Sequence, residues 1–145
     1  MPGIVHYPAA VREGVESDMP FSHVDIVPTL LGLARLPIPQ GVSGKDLSGH
    51  LLIEEQGGVF EGAAHPESVY LQSYTPTEQS EFPPWRGVRT ERYTYARHED
   101  GPWLMYDNET DPFQKENLVA KPEHAELEAK LAEAAEKQAK ALAAA

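Results

Sequence analysis

Two short stretches of this 145-residue sequence contain residue types that could do chemistry. Residues 41–45 (Gly-Val-Ser-Gly-Lys) have the components of nucleophile elbows and phosphate-binding loops. They fit neither pattern, because an elbow needs glycine two places after its serine and a phosphate loop needs Ser or Thr after its lysine, where Asp46 stands. We therefore interpret residues 41–45 as a glycine turn.

The second stretch is residues 107–111 (Asp-Asn-Glu-Thr-Asp), which alternate oxygen-bearing side chains as calcium loops do. Pro112 stands where such a loop needs glycine, and no glutamate follows at the required spacing. An Asp-Pro turn that closes a strand is the interpretation we favour. Residues 108–110 also form an Asn-x-Thr glycosylation sequon, to which we give little weight.

Histidines and aromatic residues are the remaining candidates. The six histidines show no metal-ligand spacing, and the absence of cysteine excludes disulfides, thiolate metal sites and a cysteine nucleophile. Aromatic side chains are dense in the second half: Tyr70, Tyr74, Trp85, Tyr93, Tyr95, Trp103 and Tyr106. In a sheet packed on a helix they mostly form core and cross-strand pairs, and a platform for stacking sugar rings is the alternative.

Composition and charge argue against two further classes of protein, namely nucleic-acid-binding proteins and membrane proteins. Hydrophobic residues make up 41% and charged residues 24% of the chain, which is typical of a soluble globular protein. The formal net charge is −11, which argues against nucleic acid as a partner because phosphates would be repelled. Since no apolar run approaches the length of about 20 residues that crosses a bilayer, we predict no membrane segment.

The first half is predicted to contain a strand and a helix. Residues 3–7 read as a short, buried strand of the parallel type, stopped by a proline. Asp25 can cap a helix over residues 22–34, and residues 45–53 could form another short helix. The predicted inward face of the first helix consists of Ile26, Leu30, Leu33 and Ala34.

From Ser68 onward the apolar period changes to two, which indicates strands. The predicted strands cover residues 69–74, 86–90, 92–97 and 103–106, with a hairpin turn at residues 98–101. Such an antiparallel meander needs a cover on one face. A helix over residues 122–140 is suited to this, because Leu127, Leu131, Ala134 and Ala135 form its apolar stripe.

Two groups of residues resemble a known family. Residues 22–31 (Ser-His-Val-Asp-Ile-Val-Pro-Thr-Leu-Leu), followed by Pro39, Gly44 and Leu47, are similar to the sulfatase segment Asp-x-x-Pro-Thr-Leu-Leu, proline, Gly-x-x-Leu. Residues 85–95 contain Arg-Thr-x-Arg-Tyr-x-Tyr, and the later residues follow the sulfatase order Leu-Tyr-Asp, Asp-Pro, Asn-Leu, with Met105 where leucine is commoner. This ordered set covers nearly all of residues 2–120 and resembles the C-terminal third of sulfatases, within the alkaline-phosphatase-like superfamily.

The resemblance implies an α+β fold. A four-stranded antiparallel sheet covered by a C-terminal helix would follow one strand and one helix of a truncated α/β sulfatase domain. Residues 1–66 would be the incomplete end of that catalytic domain, and residues 67–145 the antiparallel-sheet subdomain with its terminal helix.

It also implies a parent protein that hydrolyses sulfate esters of carbohydrate or aryl substrates. The family uses a formylglycine, made from Cys or Ser in a Cys/Ser-x-Pro/Ala-x-Arg motif, and a calcium ion. No such motif occurs in this sequence. We therefore predict no catalytic, cofactor-binding or metal-binding residue in this chain, and transfer no metal role to Asp25, Asp107 or Asp111.

The partners implied are the missing N-terminal catalytic portion and the sulfated substrate, and self-association of the isolated chain is expected. The candidate for reaching the substrate cleft is the long, polar loop of residues 75–84. Two alternatives stay open: a non-catalytic carbohydrate-binding or interaction module, and a fragment of a phosphodiesterase or phosphonate hydrolase of the same superfamily.

Overall fold

The computed structural model describes residues 3–53, 66–73 and 83–143. The chain divides into two compact units, Met1–His65 and Pro66–Ala145. The described residues of the first unit form one α-helix, and those of the second form a sheet and a long helix. No helix among the described residues is long and apolar enough to cross a membrane.

In the first unit, a 3-10 turn at His23–Asp25 leads directly into helix α1, Ile26–Leu33. This confirms the helix predicted over residues 22–34. Pro28 lies in the first turn of α1, where a missing N–H costs little because these donors have no partner within the helix. The second predicted helix is much shorter than expected, since residues 45–53 contain only the 3-10 turn Ser48–His50.

The strand predicted for residues 3–7 is not formed. These residues lie outside every strand, and Ile4 is 94% exposed. A strand of the parallel type needs a neighbouring strand for its hydrogen bonds, and the described part of the first unit has none to offer. In the described part of that unit, the β-type pairing consists of one isolated antiparallel bridge between Val11 and Leu52.

The predicted inward face of α1 is also wrong in part. Leu33 is buried with Ala10, Val11 and Leu52, but Leu30 is 57% exposed. The buried side of α1 carries Pro28 and Thr29 instead, and the latter contacts the segment after Gly44. The described residues of the first unit therefore leave the Leu30 side of α1 uncovered.

The second unit contains a four-stranded antiparallel sheet in the order β1-β2-β3-β4. The strands are β1 (Ser68–Ser73), β2 (Trp85–Thr90), β3 (Tyr93–His98) and β4 (Gly101–Asp107). All four predicted strands are confirmed, with bounds shifted by at most two residues. The register places Val88 opposite Tyr95 and Tyr95 opposite Met105, and it shifts at a bulge between Ala96 and Arg97, so that Ala96 lies opposite Leu104 and Arg97 opposite Pro102.

Helix α2, Ala125–Ala143, covers one face of this sheet, as predicted. It follows a 3-10 turn that begins at Pro122, a residue suited to a helix start because it has no N–H to satisfy. The core between sheet and helix consists of Val88, Tyr95, Met105, Leu118, Leu131 and Ala135.

The edge of β4 is paired by the chain that follows it. Asn117 accepts a hydrogen bond from the Met105 N–H (3.0 Å) and donates one to the Trp103 carbonyl (3.0 Å). Leu118 N–H donates to the Met105 carbonyl at 2.8 Å. This side-chain and backbone pairing protects an edge that would otherwise offer unpaired groups to another strand.

Candidate functional site

The sulfatase-like residues of the first unit form a local brace around Asp25. The Asp25 side chain is 5% exposed, and its two oxygens accept hydrogen bonds from the backbone N–H groups of Ser22 (2.9 Å) and Lys45 (2.8 Å). The first bond closes the turn before α1 and the second ties α1 to a segment 20 residues later. Both oxygens of this carboxylate therefore have a structural role.

Thr29 and two glycines complete this brace. The Thr29 hydroxyl accepts a hydrogen bond from the Leu47 N–H at 3.1 Å. Gly44 has φ of +97°, and a Cβ there would lie 2.2 Å from the Val24 carbonyl oxygen. A Cβ on Gly32 would lie 2.4 Å from the Asp46 carboxylate. The brace explains why Asp, Thr and Gly stand at these positions without invoking catalysis.

In the second unit, Arg92 and Asp107 form a bidentate ion pair between the start of β3 and the end of β4. The Arg92 Nε–Asp107 Oδ1 distance is 3.0 Å and the Nη2–Oδ2 distance is 2.7 Å. Hydrogen bonding from Arg92 lowers the pKa of Asp107 to about 2. Glu109 pairs with the same guanidinium at 3.0 Å. Residues 107–111 therefore close a strand through a turn, which agrees with the Asp-Pro turn predicted for them.

This ion pair makes a testable prediction for pH dependence. The pKa of Asp107 is lower in the folded state than its ordinary 3.8, so the pair stabilises the fold above about pH 4 and is lost as pH falls through about 2. In Arg92→Gln, we expect the pKa of Asp107 to rise part of the way to 3.8, while Arg12→Gln leaves it unchanged. Carbon-13 NMR of the carboxyl groups measures this value, and a wild-type Asp107 that titrates near 3.8 would contradict the ion pair.

A polar cluster lies on the sheet face that α2 does not cover. Asn108 Oδ1 accepts hydrogen bonds from Gln114 Nε2 (2.8 Å) and Arg89 Nη1 (3.3 Å), and Arg89 also donates to the Thr94 hydroxyl (2.9 Å). Asn108 Nδ2 donates to the Arg92 carbonyl at 2.7 Å. Because these groups bond to one another, the cluster ties the turn that follows β4 to the start of β3, and its side chains serve as structural hydrogen-bond partners.

Two arginines of the sheet meet one glutamate of the covering helix. Glu136 of α2 accepts hydrogen bonds from Arg86 of β2 (2.7 Å) and Arg97 of β3 (3.3 Å). The hydrogen bond from Arg86 is the main cause of the lowered pKa of Glu136. Residue spacing in the sequence does not predict this cluster, because its partners lie 50 and 39 residues apart.

Part of the predicted aromatic density forms one ring cluster. Trp85 of β2 and Trp103 of β4 have ring centroids 6.1 Å apart, and the His98 ring lies 4.6 Å from Trp103. His98 Nδ1 is 3.1 Å from the Pro84 carbonyl oxygen, so the cluster lies beside the end of the predicted cleft loop. That loop, residues 75–84, falls mostly outside the described residues, apart from residues 83 and 84.

No metal-binding group is found among the residues that the structure describes, when three or more His, Asp or Glu side chains are required. The three acidic residues of the sulfatase-like segments are engaged elsewhere: Asp25 and Asp111 by backbone N–H groups and Asp107 by Arg92. They do not offer the ring of oxygen ligands that calcium needs. No reaction step is therefore assigned to them.

The sheet, its covering helix and the Asp25 brace define the class of protein. A family profile described as "N-sulphoglucosamine sulphohydrolase, C-terminal" matches residues 1–141. The chain therefore belongs to this family of sulfatase C-terminal regions.

Its similarity to individual proteins is consistent with this. The chain is 35% identical over 136 residues to the ulvan-active sulfatase of Formosa agariphila, covering 90% of this chain and 25% of that protein. It is 32% identical over 132 residues to an endo-4-O-sulfatase of Bacteroides thetaiotaomicron, covering 81% of this chain and 25% of that protein. The chain thus spans about a quarter of the length of these curated relatives.

Among solved structures, the fold matches BT4656 in complex with D-glucosamine-2-N,6-O-disulfate, with a TM-score of 0.64 and 28% identity. The match covers 80% of this chain and 23% of that one. The α+β fold, with a four-stranded antiparallel sheet and a C-terminal helix, is shared with these sulfatases.

Proposed function

We propose that this chain is the C-terminal part of a sulfuric ester hydrolase that acts on a sulfated carbohydrate. The observation that carries the proposal is the family match over residues 1–141, supported by 35% identity to a sulfatase named for a polysaccharide, ulvan. The sugar disulfate bound to BT4656 supports the same substrate class. Formylglycine and calcium, which the family uses, would be supplied by the portion upstream of these residues.

In this proposal the chain scaffolds the catalytic portion. The side of α1 turned away from the Asp25 brace carries apolar side chains that the first unit does not cover, among them Val27 (53% exposed) and Leu30. Burying such side chains in a partner surface would contribute about 25 cal/mol for each Å² removed from water. The upstream portion is the occupant we propose for that side of α1, which makes this face the joint between the two portions.

A second candidate, a carbohydrate-binding module without catalysis, is favoured by the ring cluster of Trp85, His98 and Trp103. Partly exposed aromatic rings can pack against the C–H face of a sugar. The first candidate is preferred because the family match extends over both units, including the Asp25 brace, and is not confined to the sheet that bears the rings.

The test compares the isolated chain with a longer product that includes the in-frame upstream coding sequence. We expect the isolated chain to hydrolyse a chromogenic aryl sulfate in calcium buffer only at the buffer rate, because its described residues contain no metal-binding group and its sequence lacks the formylglycine motif. The longer product should release sulfate, and should lose this activity when the Cys or Ser of its Cys/Ser-x-Pro/Ala-x-Arg motif is replaced by alanine.

Three outcomes would contradict the proposal. One is turnover by the isolated chain that survives repurification and is abolished by one substitution within it. Another is an upstream sequence without the formylglycine motif, which favours the binding module. The third is a longer product that cleaves a bis-aryl phosphate diester in preference to sulfate esters, which would favour a phosphodiesterase of the same superfamily.

A further inference from the structure

Helix α1 is too short to be stable without contacts to the rest of the first unit. It has eight residues, and isolated helices shorter than about 12 residues are marginal in water. Among the described residues, the buried apolar cluster of this unit contains a single residue of α1, Leu33. Since little apolar contact holds the helix, its placement depends on the hydrogen bonds of the Asp25 brace.

The Asp25 carboxylate binds two stretches of backbone at once. One oxygen accepts from the Ser22 N–H just before α1 (2.9 Å), and the other accepts from the Lys45 N–H, 20 residues later (2.8 Å). Hydrogen bonds to an ionised group are about twice as strong as those between neutral groups. Because this carboxylate is buried, water competes little for them. Asp25 therefore sets the position of α1 relative to the segment that begins at Lys45.

Thr29 fixes the rotation of α1 about its axis. Its hydroxyl accepts from the Leu47 N–H at 3.1 Å, one helical turn beyond Asp25. Because residues 45–47 hold Asp25 and Thr29 on one side of the helix, the opposite side is turned away from the brace. That side carries the exposed side chains of Val27 and Leu30. The brace thus determines the direction in which these apolar side chains point.

We propose that Asp25 is a positioning residue: by holding α1 against residues 45–47, it presents Val27 and Leu30 to the upstream portion of the protein. This inference rests on the proposed function, in which the upstream portion covers that side of α1. The chain spans about a quarter of the length of its curated relatives, so the remaining length is ample for such a partner. In this role Asp25 touches no reacting atom and acts through the fit of the joint.

The test measures amide hydrogen exchange of residues 26–33 in the 145-residue chain and in the longer product that includes the upstream sequence. The ratio of the two exchange rates is called the joint protection. In the wild type we expect these amides to exchange at least on the order of tenfold more slowly in the longer product, because the upstream portion covers Val27 and Leu30. Leu30→Gln should lower the joint protection, since it places a polar group in the covered contact.

Asp25→Asn should lower the joint protection although Val27 and Leu30 are unchanged. The amide has the shape of the carboxylate but turns an NH2 group toward one of the two N–H donors, so one hydrogen bond is lost. Asp25→Asn combined with Leu30→Gln should lower the joint protection no further than the stronger single variant, because both act on the same contact. A purely local role of Asp25 would loosen α1 equally in both proteins and leave the ratio unchanged.

Asp18→Asn is the matched control. It removes the same charge from an exposed side chain of the first unit and should leave the joint protection at the wild-type value. Thr29→Val is a second variant of the brace, because it removes the hydroxyl that binds the Leu47 N–H. It should also lower the joint protection, which keeps the test decisive if Asp25→Asn unfolds the first unit.

The inference is overturned if Asp25→Asn and Thr29→Val keep the wild-type joint protection, or if Asp18→Asn lowers it as much as Asp25→Asn does. A wild-type ratio near one would overturn both the inference and the proposed joint. Sulfate release by the longer product is measured separately. If the longer product protects α1 in the expected way but hydrolyses no sulfate ester, the proposed activity is contradicted and the role of Asp25 is still supported.

Discussion

Replacing Leu131 by alanine is expected to lower the free energy of unfolding of the second unit by about 2–5 kcal/mol. Leu131 is 5% exposed and packs in the core with Val88, Tyr95 and Met105. The substitution removes buried apolar atoms and leaves a cavity that the surrounding strands can fill only in part, because β2 and β3 are hydrogen-bonded on both sides and β4 is also held by Asn117 and Leu118.

Urea denaturation followed by tryptophan fluorescence measures this loss, since Trp85 and Trp103 both belong to the second unit. Leu142→Ala is the matched control. It removes the same atoms near the end of the same helix, where Leu142 is 36% exposed, and should change the free energy of unfolding by no more than about 0.5 kcal/mol. If the two variants have the same denaturation midpoint, α2 does not cover the sheet in the way described.

The sheet and α2 could be predicted from the sequence because their signals are local. Apolar and polar residues alternate in residues 86–90 and 92–97, which predicts two strands. Only a short turn separates consecutive strands, so they pair as hairpins, and the length of the turn sets the register. The stripe that includes Leu131 and Ala135 has the period of a helix, and both residues are buried as predicted. Each of the four strands and α2 contacts its partners within a stretch of about 70 residues.

Residues 3–7 failed as a strand for the opposite reason. Their apolar pattern is typical of a buried strand, but a strand is completed by a neighbour that residue spacing within the segment cannot supply. The same limit applies to Leu30, whose helical position is correct but whose side chain the described residues of the first unit leave exposed. Local pattern predicts which side chains are suited to burial, and the partner surface decides whether burial occurs.

Hydrogen bonds between residues far apart in the sequence also could not be predicted from residue spacing. The bonds from Lys45 N–H to Asp25 and from Arg86 to Glu136 join residues 20 and 50 positions apart. The sequence marked Asp25 as a helix cap, and the structure adds its role as a tie to the later segment. The complete burial of Tyr95 had no sequence signal beyond the aromatic period of β3, because it depends on the packing of α2 against the sheet.

The largest difference expected within the molecule is in amide hydrogen exchange between its two units. The second unit has a sheet, its cover and a core of six buried side chains, whereas the buried core of the first unit consists of Ala10, Val11, Leu33 and Leu52. Opening free energies follow buried apolar contact, so the slowest amides of β2 and β3 should exchange at least on the order of a hundredfold more slowly than those of residues 3–53. That ratio corresponds to about 3 kcal/mol in opening free energy.

Self-association should accompany this difference, because the exposed side chains Val27 and Leu30 on α1 are typical of a surface that needs a partner. Sedimentation velocity of the wild type should show mass increasing with concentration, and Leu30→Gln should reduce the effect more than Leu142→Gln, which changes an exposed leucine of the other unit. Exchange is best measured at concentrations where the wild type is monomeric. Uniform protection of both units in that monomer would contradict the expectation and favour a free-standing module over a part of a sulfatase.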